Sequence, residues 1–221
     1  MMCLDNELSK SAVLKMKNFY EDLSSLYSTY DIDIFEDACR RNALMSHAQE
    51  KFFAEEIGKR YPLAYSDGKT GCADIVIPEI NKELECKLTS KRKAGGFSLQ
   101  ADYKSLERKK SLDFLYVLAS DDFKKFAVLY FKGLTPDDFH DVSPGARGKI
   151  KMKKYLAMKK CDVLMGSVSI QNKIEIEKLK LKIQKIKERG AIHTKKYENL
   201  LKSLSYWKNT EDRFSIQLDV I

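Results

Sequence analysis

At 221 residues and 43% hydrophobic, the chain is long enough for one large domain, or for a core with an appendage. Its formal net charge of +8 favours a polyanionic partner, although charge alone does not choose among DNA, RNA and an acidic membrane. Cys3, Cys39, Cys72, Cys86 and Cys161 show no zinc-like spacing, and there is no apolar signal or membrane-spanning run, so a reduced, cytoplasmic protein with no membrane partner is expected.

From the N-terminus, Leu14, Met16, Phe19, Leu23, Leu26 and Tyr27 predict an amphipathic helix over Asn6 to Tyr27, and a shorter helix is expected over Ile32 to Arg40. A basic segment, Arg40-Arg41-Asn42-Ala43-Leu44-Met45, follows. Ser46 and Gln49 then read as a capping box, starting a helix that runs through Phe52, Phe53 and Ile57 and stops near Gly58. With Glu50 at the staple position, Met45 lacks its usual hydrophobic partner. It is therefore a candidate wedge between DNA base steps as well as an ordinary core residue.

Ala73 to Ile77 and Glu83 to Leu88 read as two strands of a hairpin, with Pro78, Glu79, Asn81 and Lys82 as its turn. Placing Pro78 across from Glu83 sets Ile77 opposite Leu84, Ile75 opposite Cys86, Val76 opposite Glu85 and Asp74 opposite Lys87. That register buries the apolar residues on one face and gathers Asp74, Glu85 and Lys87 on the other. Unpaired buried carboxylates are costly, so such a face calls for a cation or a wet cleft. The same acid-x-Lys pattern recurs at Glu107-Arg108-Lys109, in a stretch that reads as a polar helix, where the two side chains would not share a face.

Lys91, Arg92 and Lys93, followed by Gly95 and Gly96, form a basic loop in which backbone can approach a phosphate closely. Phe97 to Ser111 reads as a helix, and the apolar runs Leu112 to Ala119 and Phe126 to Phe131 as buried strands. Within Asp141 to Lys154, a turn bearing Arg147, with Lys149 and Lys151 behind it, is a candidate DNA contact or a solvated loop. Ile176, Leu179, Ile183 and Ile186 mark a helix ending at Gly190. Tyr197 to Trp207 marks its partner in a helical hairpin, and Phe214 to Val220 alternates as a terminal strand. The expected organisation is a core of residues 1–168 and an appendage of residues 169–221. The element order implies an α/β fold, a central mixed β-sheet flanked by helices.

The Asp74…Glu85-Cys86-Lys87 hairpin resembles the active-site core of the PD-(D/E)XK nucleases, and the small chain is most similar to the type II restriction endonucleases among them. The resemblance covers roughly residues 46–131, and Ala73 stands where the family usually has proline. It implies that Asp74, Glu85 and the backbone carbonyl of Cys86 hold a metal ion, that Lys87 is catalytic, and that Glu50 joins from the preceding helix. Oxygen ligands imply a hard ion, most simply magnesium, and scattered His47, His140 and His193 argue against a histidine site. The implied activity is hydrolysis of double-stranded DNA at a short palindromic site by a homodimer. Arg40, Arg41, Asn42, Met45, Ser46 and the basic loops are candidate DNA contacts. A structure-selective nuclease of the same fold, and a non-catalytic DNA-binding or coiled-coil module, stand as alternatives.

Overall fold

Two apolar strands at the centre organise the chain. The computed structural model describes residues 4–34, 36–67, 69, 72–91, 96–142, 145, 148–190, 192, 194–209 and 213–221. In chain order the first elements are α1 (Asn6–Ser28), α2 (Ala38–Gly58), β1 (Tyr65–Ser66), β2 (Ile75–Ile77) and β3 (Lys82–Ser90). Then come β4 (Gln100–Asp102), α3 (Tyr103–Lys109), β5 (Leu112–Ala119), β6 (Lys125–Leu134), β7 (Lys149–Lys151) and α4 (Lys154–Ala157). The chain continues through β8 (Cys161–Met165), β9 (Ser167–Ile170), α5 (Gln171–Glu188), α6 (Lys195–Asn209), β10 (Phe214–Gln217) and β11 (Asp219–Val220).

The main sheet has the order β1–β2–β3–β5–β6, and both β8 and β11 pair with the far edge of β6. The β3–β5 pair is parallel and the remaining pairs are antiparallel, so the fold is α/β with a mixed central sheet. β5 and β6 are almost continuously buried because both faces of the sheet are covered. On one face Leu8, Ala12 and Met16 of α1 and Met45, Phe53 and Ile57 of α2 pack with Leu84, Leu115, Val117 and Val128. On the other, Phe114 stacks on Tyr116, Tyr116 meets Phe131 edge to face, and Phe139 lies tilted against Phe114. No helix among the described residues is long and apolar enough to cross a membrane.

The chain divides into two units, Met1–Ser167 with Ile216–Ile221, and Val168–Ser215. In the second, α5 packs on α6, burying Leu179 and Ile183. The base of this hairpin is tied by Gln171 N–H donating to the Arg213 carbonyl (2.7 Å) and Arg213 N–H donating to Asn172 Oδ1 (2.9 Å).

Several local expectations need correction. Ser46 is not an N-cap. One helix runs unbroken from Ala38 to Gly58, capped by the Asp37 carboxylate, which accepts from Cys39 N–H and Arg40 N–H. The expected helix over Ile32 to Arg40 gives way to turns before that cap. Met45 is fully buried in the α1–α2 core, so it packs and does not project towards DNA. The stretch Phe97 to Ser111 is not one helix. β4 pairs with β7, and Asp102 then caps the seven-residue α3 by accepting from Ser105 N–H. The terminal alternation splits into β10, paired with β9, and β11, paired with β6.

Candidate active site

The β2–β3 hairpin forms two residues out of the expected register: Ile75 lies opposite Leu84, Val76 opposite Glu83 and Ile77 opposite Lys82. The cause is a tighter turn. Pro78–Ile80 makes one turn of 3₁₀ helix, and Asn81 takes a left-handed conformation (φ 49°) that returns the chain directly into β3. A shift of two preserves side-chain parity. Leu84 and Cys86 therefore still face the helices, with Glu85 and Lys87 on the opposite face, over Phe114 and Tyr116 of β5.

β2 begins at Ile75, so Asp74 stands just before the ladder. Its side chain continues the pairing: Asp74 Oδ2 accepts from the Cys86 N–H at 2.7 Å. The Lys87 ammonium lies 2.6 Å from Glu85 Oε1 and 4.0 Å from Asp74 Oδ2, linking the two acids. Burial, followed by the charge of Glu85, pushes the Asp74 carboxyl up to about 6, with Lys87 opposing the rise and Glu50 adding to it. Burial likewise raises Glu50, against the charges of His47 and Lys87. For Lys87, burial opposes the positive charge, but Glu85 and Asp74 outweigh it and the ammonium is held more firmly than usual. Burial pushes the Cys86 thiol well up, so this cysteine stays neutral and packs.

The surroundings are a cleft and a hollow. Lys87 opens on a cleft of about 1010 Å³ between the start of α2, the end of β3, β4 and Lys149. Glu50 and His47 line a hollow of about 490 Å³ with Tyr65 and Ser66. Of the other candidates, Arg41, Asn42, Lys91 and Lys149 also line the cleft. Arg41 is buried, and Asn42 donates from Nδ2 to Ser90 Oγ at 3.1 Å. Exposed Arg40 pairs with Asp37 at 3.1 Å, and half-buried Ser46 lies in the interior of α2. Lys151 is exposed on β7; Gly96, exposed and outside any strand, adopts φ +78°. Arg92, Lys93, Gly95 and Arg147 lie outside the described residues.

Two residues escaped the sequence reading. Gln49 is fully buried and donates from Nε2 to the Leu115 carbonyl at 3.0 Å, tying α2 to the central strand one residue before Glu50. Its signal was a polar residue four positions from both Met45 and Phe53, on an otherwise apolar helix face. Tyr116 lines the cleft beneath Lys87 and donates its hydroxyl to the Gln100 carbonyl at 2.8 Å, anchoring β4. Burial and the nearby Glu85 charge push its hydroxyl well up.

Among the described residues, no three His, Cys, Asp or Glu side chains converge closely enough to hold a metal ion as they stand. The Lys87 ammonium bridges the two acids. Asp74 and Glu85 are oxygen donors of the kind a hard cation takes, and the Asp74 carboxyl is raised first by burial and then by the charge of Glu85. No family model, curated protein or solved structure matches the chain.

Proposed function

We propose that the chain is a magnesium-dependent type II restriction endonuclease, which hydrolyses phosphodiester bonds at a short palindromic site in double-stranded DNA and acts as a cytoplasmic homodimer. The observation that carries this reading is the Lys87 ammonium, held between Asp74 and Glu85 at the mouth of a large cleft with basic residues along it. Asp74, Glu85 and the Cys86 carbonyl would hold the magnesium. When bound, it supplies Lewis-acid polarisation of a phosphoryl oxygen and a lowered pKa for water.

The protein's own groups do the remaining work. Lys87, kept cationic by its two acids, orients the attacking water and offsets charge accumulating on the scissile phosphate. The Cys86 N–H fixes the Asp74 carboxylate by a backbone contact, so that acid is preorganised. Glu50, raised by burial, holds a proton more readily than an exposed glutamate and lies within electrostatic reach of Lys87 and Glu85 from its own hollow. Lys91 and Lys149 neutralise phosphates along the cleft. A palindromic target calls for twofold symmetry, with each subunit cutting one strand.

Plasmid DNA incubated with the purified chain, with and without magnesium, tests the reading. Discrete fragments that require the metal are expected. Glu85→Ala and Lys87→Ala should each lower cleavage by at least about 100-fold, the scale on which charge-stabilising groups act, while duplex binding persists. A smear would point away from site specificity, and cutting of a junction in preference to intact duplex would favour a structure-selective nuclease. Binding without cleavage of any duplex, junction or single strand, unchanged by either substitution, would leave only a binding module.

A further inference from the structure

Arg41 is 3% exposed, yet it lines the cleft beside Lys87. Arg40 pairs with Asp37 and Arg60 with Asp5, but Arg41 has no carboxylate within ion-pairing distance among the described residues. Its Nε has no hydrogen-bond partner, and its guanidinium lies over the Phe123 ring, 5.5 Å from the centroid. A cation withdrawn from water without an anion is costly, and a ring face compensates only in part. The neighbouring Asn42 Oδ1 is also buried without a partner, while its Nδ2 reaches Ser90 Oγ. The N–H groups of the first turn of α2 do not supply the site, because Asp37 accepts from Cys39 and Arg40.

The acids lining the cleft do not pair with Arg41, and its neighbour, the buried Tyr20 hydroxyl, brings no charge to balance it. Asp102 is engaged in capping α3, and Glu36 and Asp121 are exposed. Lys91 and Lys149 line the same space. A guanidinium presents a planar fork of donors that fits phosphate oxygens, and its delocalised charge tolerates burial better than an ammonium does.

We infer that Arg41 is the floor of a phosphate subsite in this cleft, taking a backbone phosphate of the bound nucleic-acid strand adjacent to the one presented to Lys87. The assignment of the anion to a nucleic-acid strand rests on the proposed nuclease function; the lack of a carboxylate paired with Arg41 among the described residues does not. Arg41 is accordingly a positioning residue: it sets which phosphate reaches the ammonium, and it takes no part in bond breaking.

Inorganic pyrophosphate, added to the full-length wild-type chain without metal, should raise the thermal midpoint saturably above a chloride control of equal ionic strength, because an anion that binds only the folded state stabilises it. Arg41→Gln should abolish that rise. It should also weaken binding of a short DNA duplex by at least about tenfold and reduce the salt dependence by about one phosphate contact. Arg41→Lys, which keeps the charge and loses the fork, should retain part of both effects. No rise in the wild type, or an equal rise in Arg41→Gln, overturns the subsite, and the wild-type measurement decides even if Arg41→Gln fails to fold. Pyrophosphate binding that depends on Arg41, with no duplex bound or cut, keeps the subsite and removes the nuclease reading.

Discussion

Asp74 does two things that pull against each other. Its carboxylate stands in for a backbone acceptor at Cys86, which favours ionisation, while burial and Glu85 favour the protonated form. The second influence wins, because the carboxyl is raised from its ordinary 3.8 to about 6. A folded-state pKa above the unfolded one means that the native state binds the extra proton. This group's contribution to stability is therefore fully present below about pH 4 and is lost as pH rises through about 6. In metal-free buffer at pH 8, Asp74→Asn should stabilise the fold by about 1–2 kcal/mol, after discounting for solvent reaching a side chain that is 23% exposed. Below about pH 4 the difference should vanish. Thermal melts at the two pH values check this, and a variant less stable than the wild type at pH 8 would contradict it. The same substitution should abolish any stabilisation that magnesium confers on the wild type.

Among the elements, β8 and β11 meet at Gly166. Its φ of +82° is open to glycine, and a Cβ there would come within 2.6 Å of the Gln217 carbonyl oxygen and 2.7 Å of Ala127 Cβ. Neither obstacle is the end of a flexible side chain. Gly166→Ala should therefore cost about 2 kcal/mol or more and lower the thermal midpoint by about 4–8 °C; a variant melting with the wild type would show that the strand edge can yield. The elements also explain what could be read before the fold was seen. The extent of α1 and the apolar runs of β5 and β6 lie close to where they were expected, but the face of α1 does not: of its six apolar markers only Met16 is buried, Leu14, Phe19 and Leu26 are exposed, and Leu8, Ala12, Val13, Met16 and Tyr20 face the core. The site's shared face was legible because a strand alternates with period two, a rule indifferent to a register shift of two. The register itself was not, since it turned on Asn81 adopting a left-handed conformation. The start of α2 was misread because Ser46 and Gln49 match a capping box by spacing alone. Asp37, eight residues after Thr29 ends α1, does the capping, and Gln49 turns inward to Leu115. β4 was missed because three residues are too few to show alternation, and its pairing with β7 is a long-range event.

At the scale of the whole molecule, the net charge of +8 is not spread as a uniform coat. Many lysines are tied into pairs, such as Lys82 with Asp113, Lys109 with Glu83 and Lys160 with Asp138. Arg41 lines one concavity together with Lys87, itself paired with Glu85 and Asp74, and low-dielectric walls there strengthen a field that exposed charges lose to salt. The route of the chain carries a separate implication. Gly166 N–H donates to Asp219 Oδ2 at 2.8 Å, and Ser167 Oγ lies 3.3 Å from Gln217 Oε1, so the segment Val168–Ser215 leaves and re-enters at neighbouring points. Topologically it is an insertion, a detour that the β6 edge neither starts nor finishes. Splicing it out with a few flexible residues joining Ser167 to Ile216 should leave a protein that still melts cooperatively, with β8 and β11 in place. A shortened chain that aggregates or loses its transition would mean that the detour is a buttress, not a guest.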